Sequence, residues 1–252
     1  MSPRLIRIIR GAGWSLIWAG VYLMGFVAYQ LWFTNLLTAR DQSALAASLE
    51  QNFAVAVSNR VEEVPYEPVP DPVVDPIPDP VVDPNPAPQP PRILLQEAEG
   101  PGGEAFAQIR IAKIDLDATI IEGVRRRDLK KGPAHLSGSP LPGQPGNSVI
   151  SGHRTTYGAP FGSLDELAPG DRIEVETAIG VHVYEVREAP ERCRDEDGRC
   201  IVRPTDLWVI EPREGAWLTL TTCHPKFSAR RRLIVFAELI EGPNADVILA
   251  GA

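Results

Sequence analysis

Residues 218–239, LTLTTCHPKFSARRRLIVFAEL, place a cysteine, a histidine and three consecutive arginines in one short stretch. A cysteine thiolate attacks carbonyl carbon, and a nearby histidine or arginine favours that charged form. The attack develops an oxyanion, which a fixed cationic donor stabilises. Arginine keeps its charge at any working pH. Acyl transfer is therefore the chemistry these residue types could support, and the elements that hold them decide which ones can act together.

AWLTLTTC, residues 216–223, alternates apolar and polar side chains and is predicted to be a strand. Neighbouring side chains in a strand point to opposite faces, so Cys223 and His224 face apart. Pro225 cannot donate to a ladder and ends the strand close by. Cys223 then sits at a strand terminus, and its partner must come from elsewhere in the chain. Three other histidines are available. His182, in VHVYEV, shares a strand face with Tyr184 and reads as a packing residue. His135, in KGPAHLSGSP, lies in a loop between proline and glycine and reads as a structural hydrogen-bonding group. His153, in NSVISGHRTTYG, follows an apolar strand and a glycine, so its imidazole is exposed on a rigid base. It is the best candidate partner for Cys223. Among the arginines, strand parity puts Arg230 and Arg232 on one face and Arg231 on the other. Arg232 opens the apolar run RLIVFAEL and is held most firmly, while the other two read as a solvated basic turn.

Seven strands are predicted from about residue 107 to 241: AQIRIAKI, DATIIEG, NSVISG, DRIEVET, VHVYEVRE, AWLTLTTC and RLIVFAELIE. Glycine and proline clusters separate them, and only short helices fit, around RRRDLKKG and FGSLDEL. Short strands at regular spacing point to a mostly antiparallel β-barrel. Residues 92–252 form this working domain and are long enough to bury a core without metals or many disulfides.

The remainder of the chain differs in kind. Residues 11–39 contain no Asp, Glu, Lys or Arg and are long enough to span a bilayer, which takes about 20 apolar residues. Arg4, Arg7 and Arg10 precede them in a basic segment, residues 1–10, and such charge stays cytoplasmic. A single-pass protein of the cell membrane follows, with its working domain outside. Residues 40–64 suit a helix continuing from the span. Residues 65–91 repeat DPVVDP and are so rich in proline that neither helix nor sheet propagates. As polyproline II they would reach on the order of 80 Å, a stiff spacer holding the domain away from the bilayer. The net charge of -8 argues against a nucleic-acid partner held by phosphate contacts.

TLTTC followed by RLIVFA, with ISGHRT upstream, resembles the sortases, membrane-anchored cysteine transpeptidases of Gram-positive bacteria. The likeness covers roughly residues 105–242, including PLPGQPGN, FGSLDELAPGD and IVRPTDLWVI. GHRTTYGAPFG and TTCHP are most similar to class E, the housekeeping type of many actinobacteria; class D is the nearest competitor. The resemblance implies an eight-stranded barrel with short helices and a catalytic trio of His153, Cys223 and Arg232. It implies cleavage of a C-terminal LAXTG- or LPXTG-like sorting signal after threonine, through a thioester. The protein would then pass to an amine of a peptidoglycan precursor, so that surface proteins become wall-linked. Tyr157 and Thr222 are expected at the substrate groove. No cofactor is implied. A pilus-type sortase would carry a lid ahead of the barrel, which the proline-rich stretch does not resemble. A non-catalytic binding module would not need an intact trio.

The segment CRDEDGRC departs from the family pattern. Cys193 and Cys200 bracket a hairpin tip and are predicted to form a disulfide outside the cell. A structural zinc site would need further ligands nearby, and none is evident. Asp195, Glu196 and Asp197, and the basic run Arg125 to Arg127 with Lys130 and Lys131, read as solvated surface.

Overall fold

Alternating residues along each strand of the C-terminal region give one apolar face, and those faces can leave water only by curling around one another. The computed structural model describes residues 3–29, 33–66 and 92–250. In chain order the elements are α1 (Pro3–Ala28), α2 (Thr34–Asn59), β1 (Val61–Pro65), β2 (Ile93–Glu97), β3 (Ala105–Ile111), β4 (Leu116–Glu122), α3 (Arg126–Leu129), β5 (Ala134–His135), β6 (Gly146–Ser151), β7 (Arg172–Thr177), β8 (Gly180–Val186), β9 (Cys200–Val202), β10 (Ala216–His224), β11 (Arg231–Glu241) and α4 (Ala245–Leu249).

The sheet runs β10-β6-β5-β4-β3-β7-β8-β11 and closes because β11 pairs back onto β10. The result is the closed eight-stranded barrel that the sequence leads one to expect. The short strand β9 extends the sheet from the side of β11. Inward residues such as Ile109, Ile120, Ile150, Ile173, Leu218, Leu220, Leu233 and Leu239 fill the interior and are almost wholly buried. All seven predicted strands form, six of them within two residues of their expected ends; the first, expected to run to Ile114, stops at Ile111, where Ala112–Ile114 turn as a 3-10 helix. β5 and β9 are too short to carry a readable alternation.

Outside the barrel two expectations need correction. Residues 30–32 of the charge-free stretch 11–39 lie outside the described residues, and its last part belongs to α2. Among the described residues one helix, Ile6–Ala28, 23 residues at mean hydropathy 1.4 with none of it buried, is long and apolar enough to cross a membrane. From Thr34 the chain belongs to α2, which packs on the barrel. Thr34, Thr38 and Gln42 recur every fourth residue and so share one helix face. Thr38 Oγ1 donates to Lys130 O (2.9 Å), and Gln42 Nε2 to Lys131 O (2.8 Å), while Thr119 N donates to Gln42 Oε1 (2.7 Å). Polar side chains that satisfy barrel backbone groups hold this helix to the domain.

The second correction concerns the spacer. Residues 67–91 of the proline-rich segment lie outside the described residues. Its flanks do not: β1 pairs antiparallel with β2, Pro65 opposite Ile93, and Tyr66 N donates to Arg92 O (2.8 Å). The two ends of the segment therefore meet, and its contour length adds nothing to the distance between α1 and the barrel. Leu94 of this hairpin is buried and Val64 packs against the same core, which anchors the ends.

Cys193 and Cys200 are joined by a disulfide. It lies in a second apolar cluster with Val202, Val209, Ile234 and Phe236. Closing so short a loop restricts the unfolded chain by about 2 kcal/mol. Reductant should therefore lower the melting temperature by roughly 4–8 °C. A melting curve indifferent to reductant would contradict this.

Candidate active site

Three neighbouring strands end at the same level. β10 runs parallel to β6 with Thr221 opposite Ser151, and antiparallel to β11 with Cys223 opposite Arg232. Two hydrogen bonds lock the exit of β6 to β10: Gly152 N donates to Thr221 O (3.1 Å), and Thr222 Oγ1 donates to Gly152 O (2.8 Å). His153 leaves the sheet directly after this lock. It stands on one side of Cys223, with Arg232 on the other. Adjacent strands lie about 4.8 Å apart, so each flanking side chain originates about one strand spacing from Cys223, and His153 and Arg232 about two spacings from each other. Directly paired residues project to the same face. Cys223 and Arg232 thus share the outer side, opposite the buried pair Thr222 and Leu233. His224 pairs with Arg231 and projects the other way.

The imidazole of His153 lies 4.9 Å from the ring of Tyr157, centre to centre, and Lys130 Nζ lies 5.5 Å from that same ring. The Nε2 of His153 is buried and has no hydrogen-bond partner among the described residues. Burial, and then the charge of Lys130, hold its pKa below the ordinary histidine value. The neutral ring is therefore favoured at neutral pH, the form that can take a proton from a thiol. Arg232 Nη1 donates to Ala229 O and Arg231 O, both at 3.0 Å, so the loop between β10 and β11 orients the guanidinium. Cys223 is half-buried and is the free thiol among the described residues.

One residue of this site goes unnoticed in the sequence. Arg154, only 5% exposed, carries its guanidinium beneath the strand ends. Its Nη1 donates to His224 Nδ1 (2.9 Å) and reaches Cys223 O (3.4 Å), while Nη2 forms an ion pair with Asp165 Oδ1 (2.8 Å). Guanidinium nitrogens only donate, so Nδ1 of His224 is an acceptor. Burial and then Arg154 lower the His224 pKa. That ring is thereby committed to a structural bond, which completes the reason why Cys223 and His224 are not a pair. Adjacency to His153 was the available signal, but an arginine in a loop usually reads as surface.

The remaining expected residues fall as follows. Thr222 is buried and its hydroxyl is spent on Gly152, so the expectation of a substrate contact is replaced by a structural one. It lies inward because its strand neighbour Cys223 lies outward. His135 belongs to β5 rather than a loop. It is fully buried, with Nδ1 2.8 Å from Glu122 Oε2 and Nε2 2.9 Å from Ser139 Oγ. His182 is fully buried beside Thr177 Oγ1 (3.1 Å), and burial lowers its pKa to about 4, so it remains neutral. Among the described residues, Glu99, Glu122 and His135 bring ligand-type atoms within 4.8 Å of one another. Glu122 and His135 already bond to each other on β4 and β5, and Glu99 follows β2, so the group lies away from the strand ends that hold Cys223.

Residues 109–240 match the family model described as "Sortase domain". Sortase SrtE1 of Streptomyces coelicolor is 26% identical over 247 residues, 92% of this chain and 57% of that protein. Sortase D of Bacillus subtilis is 32% identical over 143 residues, 55% of this chain and 65% of that protein. The chain thus spans less than two thirds of the length of either relative. Among solved structures, the SrtF sortase from Corynebacterium diphtheriae aligns with a TM-score of 0.51 at 32% identity, covering 58% of this chain and 89% of that one.

Proposed function

Since the chain belongs to the sortase family, we propose that it is a membrane-anchored cysteine transpeptidase that cleaves a C-terminal sorting signal after threonine and passes the protein to an amine. The observation that carries this reading is the register that sets Cys223 between Arg232 and a histidine with an unpartnered, buried ring nitrogen.

His153 takes the thiol proton of Cys223, and the thiolate attacks the threonine carbonyl carbon. The carbonyl oxygen becomes an oxyanion, beside which the Arg232 guanidinium is a fixed charge. As the C–N bond breaks, His153 returns the proton to the leaving amine, and the acyl group remains as a thioester on Cys223. An incoming amine attacks the thioester, His153 accepts its proton, and the thiol is regenerated. The acceptor on this reading is an amine of the peptidoglycan precursor, and the substrates are surface proteins bearing sorting signals. α1 would anchor the chain in a single pass, with Arg4, Arg7 and Arg10 cytoplasmic and the barrel outside.

Tyr157 packs its ring, tilted by 41°, against His153 at the edge of the site. We expect its ring to narrow the groove against proline, so that an LAXTG peptide is cleaved about 10-fold faster than LPXTG. The Tyr157→Ala variant should reduce that ratio; equal rates for both peptides in the unsubstituted protein would refute it. The reading as a whole is tested by incubating the full chain with either peptide and candidate amines and weighing the products. A mass for peptide joined to amine supports it. No product from any pair would end it.

A further inference from the structure

The turn after His153 has an unusual backbone. Tyr157, Gly158 and Ala159 all have positive φ, at 52°, 76° and 45°. Two of the three carry a Cβ, and side chains rarely adopt this region. Strained backbone of this kind persists only where its surroundings over-determine it. Part of that restraint comes from within the loop, where Ala159 N donates to Thr156 O (3.0 Å). A further part comes from α2, which lies outside the matched family region of residues 109–240. Gly158 N donates to Asn35 Oδ1 (2.9 Å). The Thr38 side chain packs beside Gly158 so closely that a Cβ there would stand 3.2 Å from Thr38 Cγ2. Thr38 Oγ1 also donates to Lys130 O (2.9 Å), and Lys130 is the residue whose ammonium lies over the Tyr157 ring.

Two turns of one helix therefore grip both sides of Tyr157: the peptide that follows it and the backbone of the lysine above it. Tyr157 in turn contacts the imidazole of His153. We propose that the first turns of α2 are a positioning element for the active site, with Asn35 and Thr38 as positioning residues that hold the Tyr157–Gly158 turn against His153. The inference rests on the transpeptidase reading for its catalytic consequence, but the contact itself does not. Asn35 follows the apolar span by only a few residues, so the clamp ties the histidine loop to the point where the chain leaves α1.

Charged and titratable groups described around His153 include Lys130 at the end of α3, Tyr157 in its own turn, Cys223 on β10, Arg232 on β11, and the next residue, Arg154, which is paired with Asp165 and bonded to His224. The described α2 contacts to this turn come from Asn35 and Thr38, which are uncharged. Loosening the clamp should therefore act by exposing the ring and letting Lys130 drift. Both changes raise the pKa of His153 toward its ordinary value, and the acid limb of the rate profile should move to higher pH.

The test uses the full chain in phospholipid vesicles or detergent micelles, with Asn35→Ala, Thr38→Val and, as a control on the same helix, Glu50→Gln. Asn35 is exposed and Thr38→Val preserves shape, so the variants should fold. The histidine ring signals are followed by NMR across pH, the His153 signal being identified by its loss in His153→Gln, and sorting-peptide cleavage is measured in parallel. We expect the His153 midpoint to rise in Asn35→Ala and Thr38→Val, with a roughly 10-fold loss of kcat/KM, and neither to change in Glu50→Gln. In a Tyr157→Ala background the Asn35→Ala shift should vanish. A His153 midpoint unmoved by both α2 substitutions would overturn the proposal. A moved midpoint in a chain that cleaves no sorting peptide would uphold the clamp and overturn the transpeptidase reading instead.

Discussion

The Cys223→Ala variant of the full chain should form no acyl-enzyme and should lose at least on the order of 10³-fold in kcat/KM for a sorting-signal peptide. The thiol supplies the atom to which the acyl group is bonded, so His153 and Arg232 have nothing to activate or stabilise without it. Members of such a constellation act as a unit, and removal of the nucleophile abolishes most of what the others contribute. The fold should be unaffected, because Cys223 is half-buried at a strand end and makes no side-chain hydrogen bond among the described residues. Intact-mass measurement after mixing with peptide checks both halves: the unsubstituted chain should gain the acyl mass and the variant should not. Turnover that survives the substitution would remove Cys223 from the mechanism.

The second large effect is expected at Arg154. Arg154→Ala strips Asp165 of its ion-pair partner and leaves His224 Nδ1 and Cys223 O without their donor. Asp165 keeps some contact with water, its side chain being 25% exposed, so the stability loss should be about 2–3 kcal/mol rather than the larger value for a fully buried pair. The kinetic loss should be greater than that stability change suggests. Arg154 joins the residue after His153 to the backbone of Cys223, and displacement of reacting groups by about 1 Å costs on the order of 10²-fold. Arg154→Lys retains the charge but has no planar fork, so it should restore stability more than rate. Chemical denaturation and peptide cleavage on the two variants separate these outcomes. If Arg154→Ala lost stability while keeping full kcat/KM, the guanidinium would be a packing element only.

Much of the site was readable because β-structure has a simple rule. A period of two assigns each residue of AWLTLTTC and RLIVFAELIE to a face, and proline and glycine mark where those strands end. That was enough to separate Cys223 from His224 and Arg231 from Arg232, while the preference for Arg232 over Arg230, which shares its face, came from the apolar run that Arg232 opens. The same rule, carried one residue further, would have placed Thr222 inward, where its hydroxyl meets Gly152. Arg154 was not readable, since whether an arginine in a loop faces water or an Asp165 eleven residues away is decided only when the loop folds back.

What the sequence determined by itself was local and periodic: an apolar segment at the N-terminus, seven alternating strands, the residue types for acyl transfer and the strand ends that carry them. Tertiary structure alone decided the pairings across long separations. The antiparallel β1–β2 contact turned an expected spacer into a segment with joined ends, and the polar face of α2 brought the helix after the span onto the histidine loop. The physical reason is the same in both cases. Backbone hydrogen bonds and polar side-chain contacts between distant segments leave no periodic mark in either partner, so they become visible only when the chain brings both together.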